Sequence, residues 1–64
     1  MNSAELRLAS LDKLTMVRVF LDEVLIGALM PTPDLLERMA SLFRRAAANE
    51  REALQLETRA RRAA

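Results

Sequence analysis

Few side chains in this chain are suited to acid–base or nucleophilic chemistry, because His, Cys and Tyr are absent and Lys13 is the single lysine. Asp34 and Glu37 lie three residues apart and would share one helix face, as paired catalytic carboxylates must. The same positions suit a first helical turn, where acids favour the helix dipole, and Arg38 follows Asp34 by four residues. We therefore expect a structural role for both and no enzymatic activity. Without thiolate or imidazole ligands we expect no metal site or cofactor.

Arginines are the next candidates for function, since guanidinium groups bind phosphates. The candidates in the second half of the chain are Arg44, Arg45, Arg59, Arg61 and Arg62. Acidic residues are interspersed among them, the formal net charge is only +1, and aromatic residues make up 3% of the chain. No aromatic residue is positioned for base stacking. A small nucleic-acid-binding regulator is thus the alternative, and nucleic acid is an unexpected partner.

Two helices account for the periodicity of the sequence. Asn2 and Glu5 have the spacing of a capping box, which predicts a first helix over about 3–29, although Ser10 offers a second possible start. Thr32, Pro33 and Asp34 are typical of a helix start, so a turn at 30–32 and a second helix over about 33–60 follow. We expect the chain, 1–64, to be a single domain.

A turn of three residues makes the helices antiparallel neighbours, and the apolar positions mirror each other around it. The helix 2 stripe has coiled-coil spacing, with seven residues between successive members of two sets: Leu35, Leu42, Asn49 and Leu56, and Met39, Ala46, Ala53 and Ala60. The fold class is thus all-α: an antiparallel two-helix hairpin, tightly packed near the turn and weakly packed at its open end. The predicted contacts are Ala28 with Leu35, Val24 with Met39, Leu21 with Leu42, and Val17 with Ala46, and further from the turn Ser10 with Ala53. The predicted buried face of helix 1 is Leu14, Val17, Leu21, Val24, Leu25 and Ala28.

Several large apolar side chains remain outside this predicted interface. A chain of 64 residues without disulfide or metal has a small core, so we expect the hairpin to be completed into a helical bundle by self-association, as a dimer, or by a different protein. Contiguous apolar patches of this kind commonly mark interfaces. The predicted partner-binding residues are Val19, Phe20, Ile26, Leu29, Leu36 and Phe43.

In outline and length the hairpin resembles the Rop plasmid copy-number regulators, which dimerise to bind paired RNA loops, and the small co-chaperones of type III secretion needle subunits. Neither resemblance extends to a motif, so neither assigns a site residue. The expected function is protein–protein association, as a small adaptor, a chaperone-like or accessory subunit, or a self-assembling bundle. The longest apolar run, 24–30, is too short to span a bilayer, and the N-terminus does not read as a secretory signal. We expect a cytoplasmic protein.

Overall fold

The computed structural model describes residues 1–63 and contains two helices, α1 (Ser3–Leu25) and α2 (Pro33–Ala63). They pack side by side in an antiparallel hairpin 51 Å long and 17 Å wide. The predicted all-α fold class is confirmed. Ala64, the last residue of the predicted domain, lies outside the described residues.

Both helix starts are capped as the sequence predicts. The Asn2 side chain accepts a hydrogen bond of 2.8 Å from the backbone N–H of Glu5. The Thr32 hydroxyl accepts one of 3.2 Å from the N–H of Leu35, with Pro33 at the first helical position. Each cap satisfies a backbone donor that has no partner within its helix, which is why both helices begin where they do.

The end of α1 differs from the prediction, since the helix stops at Leu25 and not near residue 29. Gly27 has φ 81°, in the left-handed region. Its N–H donates to the carbonyl oxygen of Val24 at 3.1 Å, and the N–H of Ala28 donates to that of Glu23 at 2.8 Å. This is the Schellman arrangement, which ends a helix at a glycine. The turn therefore covers 26–32, longer than the predicted 30–32, and α2 runs to Ala63 instead of about 60.

The longer turn changes the register between the helices. The hydroxyl of Ser10 lies 3.1 Å from the carbonyl oxygen of Ala46, whereas the mirrored pattern predicts Ser10 opposite Ala53. The contact is therefore one heptad closer to the turn. Val17 clusters with Leu42 and Met39, which precede its predicted partner Ala46 by four and seven residues. The predicted register is wrong because it places the centre of the turn between the two prolines, whereas Gly27 ends α1 early and moves that centre towards the N-terminus.

The buried face of α1 is also rotated from the predicted one. Its buried and half-buried positions follow three- and four-residue steps through Leu6, Ser10, Lys13, Val17, Phe20 and Val24. Leu14, Leu21 and Leu25, which we expected to face α2, are exposed. On α2 the predicted stripe is correct, with Met39, Leu42, Ala46 and Ala53 buried and Leu35 packed against the core.

The open end of the hairpin is closely packed, contrary to the prediction. Leu6 is buried there, and the least exposed residues of the core are Ser10 at 1% and Ala53 at 0%. The Ser10 hydroxyl also lies 3.1 Å from the carbonyl oxygen of Leu6, so its single proton is shared between two backbone acceptors, one on each helix. Small side chains at Ser10, Ala46 and Ala53 allow the two backbones to approach, and the hydroxyl keeps its hydrogen bond when buried.

Candidate protein-binding face

An ion cluster at the open end shows which sides of the two helices meet. Arg7 on α1 donates to Glu50 at 2.5 Å and to both carboxylate oxygens of Glu57 at 3.1 Å and 2.6 Å. Two parallel N–H···O bonds to one carboxylate are the geometry that the planar guanidinium favours. Arg7 and Glu50 therefore lie at one level of the hairpin and on one of its two flat sides.

The Arg7–Glu57 contact changes the acidity of both groups. Hydrogen bonds from Arg7 lower the pKa of the Glu57 carboxyl; partial desolvation of that carboxyl opposes the change, and Coulomb attraction to Arg7 adds to it. The pKa of Arg7 is raised in turn, chiefly by hydrogen bonding to Glu57. Because these side chains are between 31% and 45% exposed, water screens the cluster, and it orients the helices more than it stabilises them.

Heptad steps from Arg7 and Glu50 lead along the same flat side towards the turn. Seven residues are nearly two helical turns, about 10.5 Å, and return to the same helix face. One step reaches Leu14 on α1 and Phe43 on α2. A second step reaches Leu21 and Leu36. The side thus has three levels: a charged level at the open end, then a Leu14/Phe43 level and a Leu21/Leu36 level.

All four of these apolar side chains are exposed: Leu14 by 40%, Leu21 by 45%, Leu36 by 51% and Phe43 by 52%. Leu11 lies three residues before Leu14, and Leu25 four after Leu21, so both join the same stripe of α1, and both are exposed as well. We call this surface the apolar face; it consists of Leu11, Leu14, Leu21, Leu25, Leu36 and Phe43. It includes side chains of both helices, and the exposed Arg18, seven residues from both Leu11 and Leu25, lies on the same stripe of α1.

The opposite flat side of the hairpin has a different character. A shallow groove there is lined by side chains of both helices, namely Met16, Phe20, Arg38, Ser41, Leu42 and Arg45. Arg38 and Arg45 are exposed at its edge and place two positive charges beside the apolar floor. One side therefore carries the six large apolar side chains together with Arg7 and Arg18, and the other carries Met16 and Phe20 beside Arg38 and Arg45.

The six predicted partner-binding residues do not form one surface. Leu36 and Phe43 lie on the apolar face. Phe20 is half-buried and packs against Val17, Met39 and Leu42 in the core of the hairpin. Val19 is exposed, but it follows Val17 by two residues and lies roughly 200° round α1 from it, away from α2.

The remaining two predicted residues lie in the turn, because α1 ends before them. Ile26 is exposed there and Leu29 is half-buried. Leu14, Leu21 and Leu25 lie on the surface although their three- and four-residue spacing, which is also that of a hairpin interface, predicted contact with α2. Leu11 carried no prediction. The sequence contains one signal for the observed orientation of α1. Glu50 and Glu57 lie one heptad apart on α2, and both contact Arg7 on α1.

The remaining charged candidates are solvent-facing. Asp34 and Glu37 are exposed in the first turn of α2, and Arg18 approaches Asp22 at 3.9 Å as an exposed i,i+4 pair. The five candidate phosphate-binding arginines all lie on α2 and are exposed; Arg44 and Arg45 are about 100° apart on it.

Within residues 1–63, no group of three His, Cys, Asp or Glu side chains is placed to hold a metal ion. Neither α1 nor α2, as far as Ala63, has the length and apolarity to cross a membrane.

Comparison of the chain with family models finds no match, and comparisons with curated proteins and with solved structures find none either. A function for this chain therefore rests on its own surface, and the apolar face is the feature that sets the two sides apart.

Proposed function

We propose that this protein is a non-enzymatic protein–protein association module, a small adaptor or subunit of a helical bundle, which binds through the apolar face. The observation that carries the proposal is the exposure of six large apolar side chains on one side of the hairpin. Burying a side chain of this kind contributes about 1.5–3 kcal/mol relative to leaving it in water. The surface therefore holds binding energy that the isolated hairpin does not use.

The small core of the hairpin supports the same proposal. Its buried apolar side chains are Leu6, Val17, Met39, Leu42, Ala46 and Ala53. Two of them are alanines, and both phenylalanines lie outside the fully buried set. A core below about 70–80 residues rarely supplies more than 3–5 kcal/mol. The present core is the single interface between α1 and α2. A partner packed on the apolar face would add further buried helix–helix contacts.

Site-specific photo-crosslinking tests the proposal directly. A photoreactive phenylalanine analogue is placed at Phe43 in the middle of the apolar face, and in a matched variant at Arg44, about 100° further round the same helix. Both variants are irradiated in cells that produce the chain. We expect protein adducts from position 43 and few from position 44. Equal adduct yields from both positions, or none from position 43, would contradict the proposal.

The arginine-based alternative is separated by the same experiment. Nucleic-acid adducts from position 44, together with binding that falls steeply with salt and is lost when Arg59, Arg61 and Arg62 are all replaced by Ala, would identify α2 as a phosphate-binding surface. That result would replace the association module by a nucleic-acid-binding regulator.

A further inference from the structure

We propose that the shallow groove on the other side of the hairpin, where Phe20 of α1 packs against Leu42 of α2, binds an amphipathic helix of another protein. This partner helix carries carboxylates along the edge that faces α2 and basic side chains along the edge that faces α1. Binding there needs no contact with the apolar face. It is therefore independent of the proposed function and gives the chain a second, charge-selective surface.

The floor of the groove is apolar. Met16 is 48% exposed there, Phe20 is half-buried, and Leu42 packs with Phe20 at the base. The volume of the groove is about 280 Å³, below the range of roughly 300–1,000 Å³ that is typical of small-molecule pockets. A groove between two antiparallel helices instead suits the side chains of a third helix packed along it.

The α2 rim of the groove is positively charged. Arg38 and Arg45 are exposed there one heptad apart, a rise of about 10.5 Å along the helix. The ion pairs within residues 1–63 are those of Arg7 and Arg18, so neither guanidinium on this rim has a carboxylate partner, although Asp34 precedes Arg38 by four residues. Carboxylates one heptad apart on a neighbouring helix match this spacing, as the charged flanking positions of coiled coils do.

The α1 rim carries the opposite charge. Asp12 precedes Met16 by four residues and Glu23 follows it by seven, so both carboxylates lie on the Met16 side of α1. A polyanion, such as a phosphate backbone or an acidic lipid surface, would be attracted by Arg38 and Arg45 and repelled by these two carboxylates. A polypeptide helix carries both signs of charge, one on each edge. The charge pattern of the two rims therefore selects a protein helix as the occupant.

Fluorescence anisotropy with designed peptides tests the proposal on the full chain. The probe is a labelled peptide built from repeats of Glu-Ala-Ala-Leu-Ala-Ala-Lys, which as a helix places Glu and Lys about 60° to either side of Leu. Its opposite charges balance, so net attraction to the chain is small. One control peptide has Gln in place of Glu, and a second has Ala in place of Leu.

Two double variants separate the groove from the rest of α2. Arg38→Gln with Arg45→Gln removes the charges of the α2 rim. Arg44→Gln with Arg51→Gln is the matched control, because it makes the same charge change at two exposed residues that are also one heptad apart and face away from α1. We expect the first pair to weaken probe binding about three- to thirtyfold, as loss of two exposed ion pairs does, and the second to leave it unchanged. Circular dichroism checks that both retain their helix content.

Both control peptides should bind more weakly than the probe, and Phe43→Gln on the apolar face should bind the probe as the parent chain does. Equal weakening by the two double variants, or no binding of the probe to the parent chain, would overturn the proposal and leave the apolar face as the association surface. Loss of probe binding in Phe43→Gln alone would assign the peptide to the apolar face instead of the groove. Binding of a duplex or single-stranded oligonucleotide that is lost with Arg38 and Arg45 would overturn the helix as occupant in favour of a polyanion.

Discussion

Arg7 and Glu57, fifty positions apart in the sequence, are joined by two hydrogen bonds that link the start of α1 to the last third of α2. With Glu50 they fix the level at which the helices meet. Heptad steps from Arg7 and Glu50 towards the turn reach Leu14 with Phe43 and then Leu21 with Leu36. The polar cluster thus marks the end of the apolar face. It also explains why the open end is ordered although the apolar stripe of α2 thins beyond Ala46.

Protonating this cluster should loosen the open end. The pKa of Glu57 is lower in the folded chain than its ordinary value, so its contribution to stability is complete above the ordinary carboxyl pKa and is lost as pH falls through the folded value. We expect the unfolding free energy of Glu57→Gln to fall less between neutral and acid pH than that of the parent chain. Denaturant unfolding between neutral and acid pH measures this, with the exposed Glu52→Gln as control. An equal fall in Glu57→Gln and in the parent chain would show that the contact is absent in solution.

A charge on the apolar face should abolish association while preserving the hairpin. Phe43→Asp places a carboxylate where the proposed partner packs, and buried unpaired charge is strongly unfavourable. Val19→Asp adds the same charge on the side of α1 away from α2. We expect sedimentation velocity to show a smaller species for Phe43→Asp only, with helical circular dichroism retained in both. Equal association by both variants would exclude this face.

The close approach of the helices at Ser10 predicts that loss of its hydroxyl and gain of side-chain volume both lower stability, the gain of volume by more. Ser10→Ala removes a shared hydrogen bond and should cost about 0.5–1.5 kcal/mol of unfolding free energy. Ser10→Leu inserts a large side chain between the backbones and should cost more, about 1–3 kcal/mol. Chemical denaturation compares the two. If Ser10→Leu were the more stable variant, Ser10 would not lie between the helices.

Gly27 sets the length of α1, and its replacement should be costly for backbone reasons alone. A Cβ built there meets no atom within 4 Å, but φ is 81°. Gly27→Ala should therefore cost about 1–2 kcal/mol, the strain of a left-handed alanine. Ala28→Gly, one residue further along the turn, provides the control for added flexibility. Thermal unfolding monitors both, and a stabilised Gly27→Ala would mean that α1 continues through the turn as the sequence pattern suggests.

The fold class, both helix starts and the α2 stripe were predictable because each depends on local signals: the Asn2 and Thr32 caps, Pro33, and the heptad from Leu35 to Ala53. The side of α1 that packs against α2 was not predictable. Two apolar stripes compete on that helix, one through Val17 and Phe20 and one through Leu14 and Leu21. The leucine stripe is the more apolar, so periodicity alone favours it.

Long-range contacts select the other stripe of α1. A buried serine opposite Ala46 and an arginine opposite Glu50 face α2, and neither pairing is visible in a local pattern. Gly27 likewise changed the register, since one left-handed residue shortened α1 by four residues and moved the partners of Ser10 and Val17 four to seven residues along α2 towards the turn. Of the six predicted partner-binding residues, Leu36 and Phe43 lie on the apolar face, whereas Phe20 packs against the core and Ile26 and Leu29 lie in the turn.

The concentration dependence of thermal unfolding tests the central claim, that the hairpin is completed by association through its apolar face. For a chain whose folded state is a self-associated bundle, the unfolding midpoint rises with protein concentration by mass action. Over about a hundredfold range of concentration we expect a clear rise for the parent chain and none for Phe43→Asp. A constant midpoint for the parent, with a monomeric mass throughout, would show that the hairpin is stable alone and contradict the account.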